Sequence, residues 1–329
     1  MRARSSRLPE ISVVLWCALA ATWCGGGTPS SPTPVVPPIS VTPPPVEPPT
    51  IPETPLNETP QNGPPTPPPI GATWINIVGD TGWCGSPVMA QLARLMEQMG
   101  GDILFAGDLA YDSGTMDEFR RCFDPAFGRF RSRFWAVPGN HDYQTPGANG
   151  FFTYFGDRAG PTRSGYYALR LAGWQVLMLN SMVPMTRNSA QFTWVQNELA
   201  GTTPRCTLAV WHHPFESSGP NGPNPMQRDL WELLHQRSVD VVVSAHDHLY
   251  ERFAPMNASQ QSDPARGVRL FISGGGGAPP YQRARHAPRS ELMVSTQGML
   301  RLKLDSALYE WEYVVANGNV IDRGLNICH

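Results

Sequence analysis

The 329-residue chain lacks a basic excess: its formal net charge is -2 and its pI about 6.4, so it has no electrostatic footprint for a nucleic-acid polyanion. After its opening residues no apolar run is long enough to cross a bilayer. No CxxC pair suggests a zinc ribbon, and no internal repeat suggests a solenoid. The glycine run Gly274 to Gly277 is not followed by GK[ST], so it reads as a flexible rim loop and not as a phosphate loop. Neither serine nor cysteine lies in a recognisable nucleophile motif. These absences leave a small or locally presented substrate and chemistry without a covalent protein intermediate.

Proline, by contrast, is plentiful and unevenly placed: about half of the residues of this type fall between Thr28 and Pro69, without apolar periodicity, which predicts an extended, semi-rigid spacer. Ahead of it, Arg2, Arg4 and Arg7 precede the apolar stretch Ile11 to Trp23, the pattern of a secretory leader. Its end has two readings. Ala18-Leu19-Ala20 fits a signal-peptidase site, whereas the run into Cys24-Gly25-Gly26-Gly27 fits a lipoprotein box with Cys24 lipidated, although Trp23 departs from the small residue expected there. Export is expected either way, to the periplasm, the medium or the cell surface, with Cys24 as the single route to a membrane. The expected organisation is a leader over 1–24, a linker over 25–69 and a catalytic domain over 70–329. Beyond the leader remain Cys84, Cys122, Cys206 and Cys328, and in an exported domain they predict two disulfides with three pairings open. Cys84 with Cys122, each just beyond a strand-loop motif, is the favoured pair, leaving Cys206 with Cys328.

From Ile70 onward short apolar runs alternate with glycine, proline and aspartate. Strands are predicted at Trp74–Val78, Ile103–Ala106, Phe134–Val137, Tyr166–Leu171, Gln175–Leu179, Thr207–Trp211, Val239–Val243 and Leu270–Ile272, with an antiparallel finish at Met299–Leu304, Tyr309–Val315 and Val320–Ile327. Helices are predicted at Pro87–Met99, Met116–Cys122, Ala190–Leu199 and Met226–Gln236. The mixture predicts an α/β fold with two sheets and not one uniform parallel sheet.

Five of the strands end in polar residues: Gly79-Asp80, Gly107-Asp108-Leu109-Ala110-Tyr111, Gly139-Asn140-His141-Asp142, His212-His213-Pro214 and His246-Asp247-His248. Carboxyl ends of strands in α/β sheets converge on the ligand crevice. Carboxylate, amide, phenolate and imidazole donors together suit two small, fairly hard cations about 3.5–4 Å apart, with one aspartate bridging them. Residues two apart on an extended segment point the same way, so His246 and His248 can reach one cluster while Asp247 points elsewhere.

This ordered series, D…GDxxY…GNH…H-x-P…HxH, resembles the purple acid phosphatase branch of the calcineurin-like metallophosphoesterases, through most of Trp74 to Phe253. The resemblance implies a four-layer α/β/β/α sandwich of two mixed sheets with a dimetal site at the carboxyl ends of the strands. It implies Asp80, Asp108, Tyr111 and His248 at one metal, and Asp108, Asn140, His212 and His246 at the other. A Tyr111 phenolate would favour Fe(III) and a purple colour, with Fe(II), Zn(II) or Mn(II) beside it. The implied activity is metal-assisted hydrolysis of small phosphate monoesters, with His141 acting on the leaving oxygen, Asp142 steering His141 by a hydrogen bond, and His213 touching substrate. His212 and His213 are adjacent, so their side chains are expected to diverge. Ala245 replaces the glycine usual before HxH, Asp142 the glutamate that often follows GNH, and the proline spacer stands where the plant enzymes carry a β-sandwich.

Each piece has an ordinary explanation alone: Asp80, Asp108 and Asn140 as turn residues, His141 as a surface residue, Tyr111 as core packing and Arg252 as an ion-pair partner. The ordered series is what favours chemistry. Two rival functions share the residues, a phosphodiesterase with the same site and a surface binding module that keeps the fold without the chemistry. A metallo-β-lactamase-like hydrolase is disfavoured, because its HxHxDH is missing.

Overall fold

The first strand is buried on both faces, and its two faces show how the layers form. Ile75 and Ile77 enter a core shared with a second sheet. Asn76, on the opposite side, is fully buried yet satisfied: its amide donates to Gly100 O at 2.9 Å and Asp102 O at 3.2 Å, and its oxygen accepts from Arg301 Nε at 3.2 Å. The computed structural model describes residues 73–201 and 204–329. The leader, Cys24 and the spacer Thr28 to Pro69 lie outside those residues.

In chain order the strands are β1 (Thr73–Val78), β2 (Asp102–Ala106), β3 (Phe134–Val137), β4 (Tyr167–Leu171), β5 (Trp174–Met178), β6 (Thr207–Val210), β7 (Val241–Ser244), β8 (Tyr250–Phe253), β9 (Arg269–Ser273), β10 (Ser290–Val294), β11 (Gly298–Leu304), β12 (Leu308–Val315) and β13 (Val320–Ile327). They form a six-stranded sheet, β13-β12-β11-β1-β2-β3, and a seven-stranded sheet, β10-β8-β9-β7-β6-β5-β4. Both are mixed: β1, β2 and β3 run parallel, as do β5, β6, β7 and β9, with antiparallel partners outside them. Three apolar clusters separate four layers. One fills the space between the sheets, a second packs the helix Pro87–Met99 and the aromatic segments on the first sheet, and a third packs Ala190–Glu198 and Arg228–Gln236 on the second. The expected α/β/β/α sandwich is the observed fold.

Four local expectations change. Strands β8 and β10 are additional; β8 reads YERF, where two charges interrupt the apolar run. Both charges are matched: Arg252 Nε donates to Asp322 of β13 at 2.7 Å, and Glu251 accepts the Ser218 N–H at 2.8 Å. Met116–Cys122 is one α turn, Met116–Glu118, closed by a Thr115/Glu118 capping box, followed by a π-helical stretch over Phe119–Phe123. The segment Thr145 to Tyr154, between the strand-end motif and the next strand, reads in sequence as a rim loop that sets specificity; it is largely the helix Asn149–Phe155, because Phe151 and Phe155 join Phe119, Phe123, Phe105 and Phe134 in a cluster of tilted and edge-to-face rings. The glycine run is likewise no free rim. Gly274 to Gly277 is buried, and a Cβ on Gly274 would lie 2.1 Å from Asp247 O and 2.6 Å from the Asp80 carboxylate, so glycine is what lets that backbone pass beside Asp80.

Among the described residues Cys84 is bonded to Cys122 and Cys206 to Cys328, with Cα separations of 4.7 and 5.4 Å. The second link closes 122 residues and ties the chain end to the start of β6. Replacing Cys206 and Cys328 together by serine is expected to lower the unfolding free energy by about 3–5 kcal/mol through loop-closure entropy. Denaturant titration measures this, and an unchanged midpoint would contradict the stabilising role.

Candidate metal centre

The sheets deliver their polar strand ends to one place through strained backbone. Asp80, Asp108 and His246 follow β1, β2 and β7 with φ of 57°, 54° and 68°, the left-handed region that non-glycine residues seldom enter and that clusters at functional sites. His246 therefore does not continue an extended strand, yet the expected division holds. His246 and His248 face the cluster, while Asp247 turns to Ser217 Oγ and the Asn221 N–H. Ala245, where glycine was expected, keeps a negative φ and is buried.

Two donor groups form, joined at one atom. Tyr111 Oη lies 3.1 Å from Asp80 Oδ1, 3.4 Å from Asp108 Oδ2 and 3.4 Å from His248 Nε2, with His248 Nε2 3.5 Å from Asp80 Oδ1. His212 Nε2 lies 3.1 Å from Asp108 Oδ2, 3.2 Å from Asn140 Oδ1 and 3.2 Å from His246 Nδ1. Asp108 Oδ2 thus belongs to both groups. Its other oxygen accepts the His141 N–H at 2.8 Å, which fixes the carboxylate.

This donor set fits cations. The His212 Nδ1 sits 2.8 Å from Ala106 O and the His248 Nδ1 3.0 Å from Pro279 O, so each ring donates to a backbone carbonyl and directs the lone pair of Nε2 into the cluster. His212 Nε2 then faces two oxygen acceptors and a second imidazole nitrogen. One proton can serve only one of these contacts, whereas a cation serves them all. The electrostatics agree: burial drives the Asp80 carboxyl well above the usual carboxylate range and drives His248 down to about 4 and His246 down to about 2. Burial also opposes the charges of Asp108 and His212, but their mutual attraction wins, holding Asp108 at about 2 and raising His212 to about 9. His246 and His248 thus stay neutral and keep their lone pairs available to a cation.

The remaining predicted residues divide. His141 stands at the edge, its ring 4.4 Å from that of Tyr111 and its Nδ1 2.6 Å from Asp112 O. Asp142 does not steer it. Fully buried, Asp142 accepts the N–H groups of Asp108 at 2.9 Å, Gly139 at 2.9 Å and Leu109 at 3.1 Å, so it pins two of the strand-end loops together. His213 does not diverge from His212 as adjacency suggested. The left-handed turn at His246 brings that ring 4.3 Å from His213, and His212, His213 and His246 can offer three nitrogens within 4.8 Å of one another. Ser181 Oγ, 2.8 Å from His213 Nδ1, holds the ring. Sequence reading missed Ser181, the carbonyls of Asp112 and Pro279, and the rings of Trp83 and Tyr281 that pack on Tyr111 and His248. Carbonyls leave no sequence signal, and Trp83, three residues beyond Asp80, was the one legible clue.

The arrangement, donors gathered between the carboxyl ends of two sheets, defines a class of α/β/β/α sandwich with solved members. The structure of a purple acid phosphatase from yellow lupin (Lupinus luteus) seeds matches with a TM-score of 0.68 at 19% identity, over 78% of this chain and 53% of that one. The structure of the anchor in the inner membrane complex of Plasmodium matches with a TM-score of 0.63 at 14% identity, over 78% of this chain and 89% of that one. In sequence, purple acid phosphatase 22 of Arabidopsis thaliana is 28% identical over 274 residues, 76% of this chain and 61% of its own length. Residues 73–250 match the calcineurin-like phosphoesterase family, and the chain belongs to that family. The chain spans about three-fifths of the length of this relative and of purple acid phosphatase 21 of the same plant.

Asp142→Asn is expected to lower stability by about 1–3 kcal/mol, because the amide presents hydrogens to a backbone N–H donor. Thermal unfolding checks it; full stability with lost activity would restore the steering role for His141.

Proposed function

We propose that the chain is a dimetal-dependent phosphatase acting on small phosphate monoesters. The observation that carries this is Asp108 Oδ2, shared between the Tyr111 and His212 donor groups at 3.4 and 3.1 Å. Asp80, Asp108, Tyr111 and His248 would hold one ion, and Asp108, Asn140, His212 and His246 the other. Two ions so held supply Lewis acidity to phosphoryl oxygens and acidify water. Burial and the carboxylates of Asp80 and Asp108 push the Tyr111 phenol well above its ordinary pKa, so its ionisation calls for a strongly acidic cation. Fe(III) at the Tyr111 side, with Fe(II), Zn(II) or Mn(II) at the His212 side, meets that demand.

The chain's own residues do the rest. With Nδ1 donating to Asp112 O, a protonated His141 has Nε2 free to give its proton to the leaving oxygen. Packing on Tyr111 limits its swing. His213, held by Ser181, lies beside His246 where a phosphoryl oxygen can meet it. Export fits the two disulfides, which persist in oxidising compartments, and the leader with Cys24 supplies the route.

The fold by itself does not decide for catalysis, since a protein described as an anchor shares it. Intact donors at all seven positions favour the enzyme over the binding module. Metal analysis of the purified protein is expected to find two ions per chain and a visible absorption band. Asp108→Asn is expected to lose both ions and to lower hydrolysis of 4-nitrophenyl phosphate by more than about 100-fold, beyond the usual cost of a supporting residue. A variant that keeps metal and activity would overturn the shared-ligand assignment.

A further inference from the structure

We propose that Trp83 and Tyr281 form the leaving-group subsite of this centre and select phosphate esters of planar aromatic alcohols; the inference rests on the phosphatase reading above. Each ring lies directly on a ring of the candidate metal cluster. Trp83 packs on Tyr111 with centroids 5.2 Å apart and planes tilted by 54°, and Tyr281 stacks on His248 at 4.0 Å and 14°. Tyr111 and His248 are themselves 6.2 Å apart, so the four rings form one continuous aromatic surface beside the donors. On this proposal the alcohol of a phosphate ester held at those donors lies along that surface.

Trp83 is 37% exposed, and among the described residues it is the one aromatic ring in the set of large exposed apolar side chains. Of the four rings it is the exposed one, and so the one most open to a partner. The backbone that carries the ring is nevertheless anchored: Cys84 beside it is bonded to Cys122, and the Ser86 N–H donates to Trp83 O at 3.0 Å. The Tyr281 backbone is anchored as well, its N–H donating to His248 O at 2.8 Å, and its ring is held by stacking on a His248 ring that donates to Pro279 O. Rings on anchored backbone lose less freedom when a flat partner docks. Faces and edges of rings reward a planar π system, and an aliphatic alcohol offers none.

The test uses the metal-loaded full-length protein and two non-hydrolysable probes, 1-naphthylmethylphosphonate and methylphosphonate, with binding read by calorimetry. Trp83→Ala is expected to weaken the naphthyl probe about tenfold more than the methyl probe, the scale of one stacked ring, and Trp83→Phe is expected to restore most of the difference. Tyr281→Leu is expected to shift the ratio in the same direction. In kinetics, the kcat/KM ratio of 1-naphthyl phosphate to glycerol 2-phosphate should fall in parallel, through KM. A ratio unmoved in either the Trp83 or the Tyr281 variant overturns the assignment of that ring. A wild-type protein that hydrolyses neither ester overturns the phosphatase reading instead.

Discussion

Two buried carboxylates a few ångströms apart are the constraint on which the centre depends. Asp80 and Asp108 are within a percent of complete burial, and such groups keep their charge only where positive charge or hydrogen-bond donors meet them. Backbone donors meet part of the need, with the His246 N–H on Asp80 and the His141 N–H on Asp108. The remaining oxygens face Tyr111, His212 and His248, which can share that charge with a cation but cannot replace it.

The supporting structure follows from that constraint. Left-handed backbone at Asp80, Asp108 and His246 is costly, and it persists because the parallel cores of both sheets hold the flanking strands. Glycines pass where side chains cannot: at Gly107 a Cβ would sit 2.6 Å from the His212 ring, and the residue has a φ of +88°. Ala106 O and Pro279 O settle which nitrogen of each histidine faces inward. Asp142 binds the β2 and β3 loops to each other, so the spacing of Asp108 and Asn140 is set by a buried carboxylate that need not touch substrate.

Asp142 and His213 also show how the same residue types can be read correctly in kind and wrongly in role. Asp142 was legible as a polar strand-end residue, but its three partners are backbone groups from two loops that only folding brings together. His213 was legible as a candidate; its nearness to His246 depends on a positive φ that histidine rarely adopts. The segment Thr145 to Tyr154 and the glycine run read as rim loops for a related reason, since aromatic content and small side chains say nothing of depth until neighbouring layers are placed.

The sequence by itself determined the short apolar runs that make β1, β2, β3, β6 and β7, the polar residues at their ends and the ordered motif series. These are encoded locally, by periodicity, chain order and residue chemistry. Tertiary structure alone decided that one Asp108 oxygen is shared, that two backbone carbonyls aim the histidines, and that Trp83 and Tyr281 border the cluster. Apart from the contact of Asp108 with Tyr111, those relations join residues that lie from tens to more than a hundred positions apart, and their distances are set by how two sheets pack, which no local pattern records.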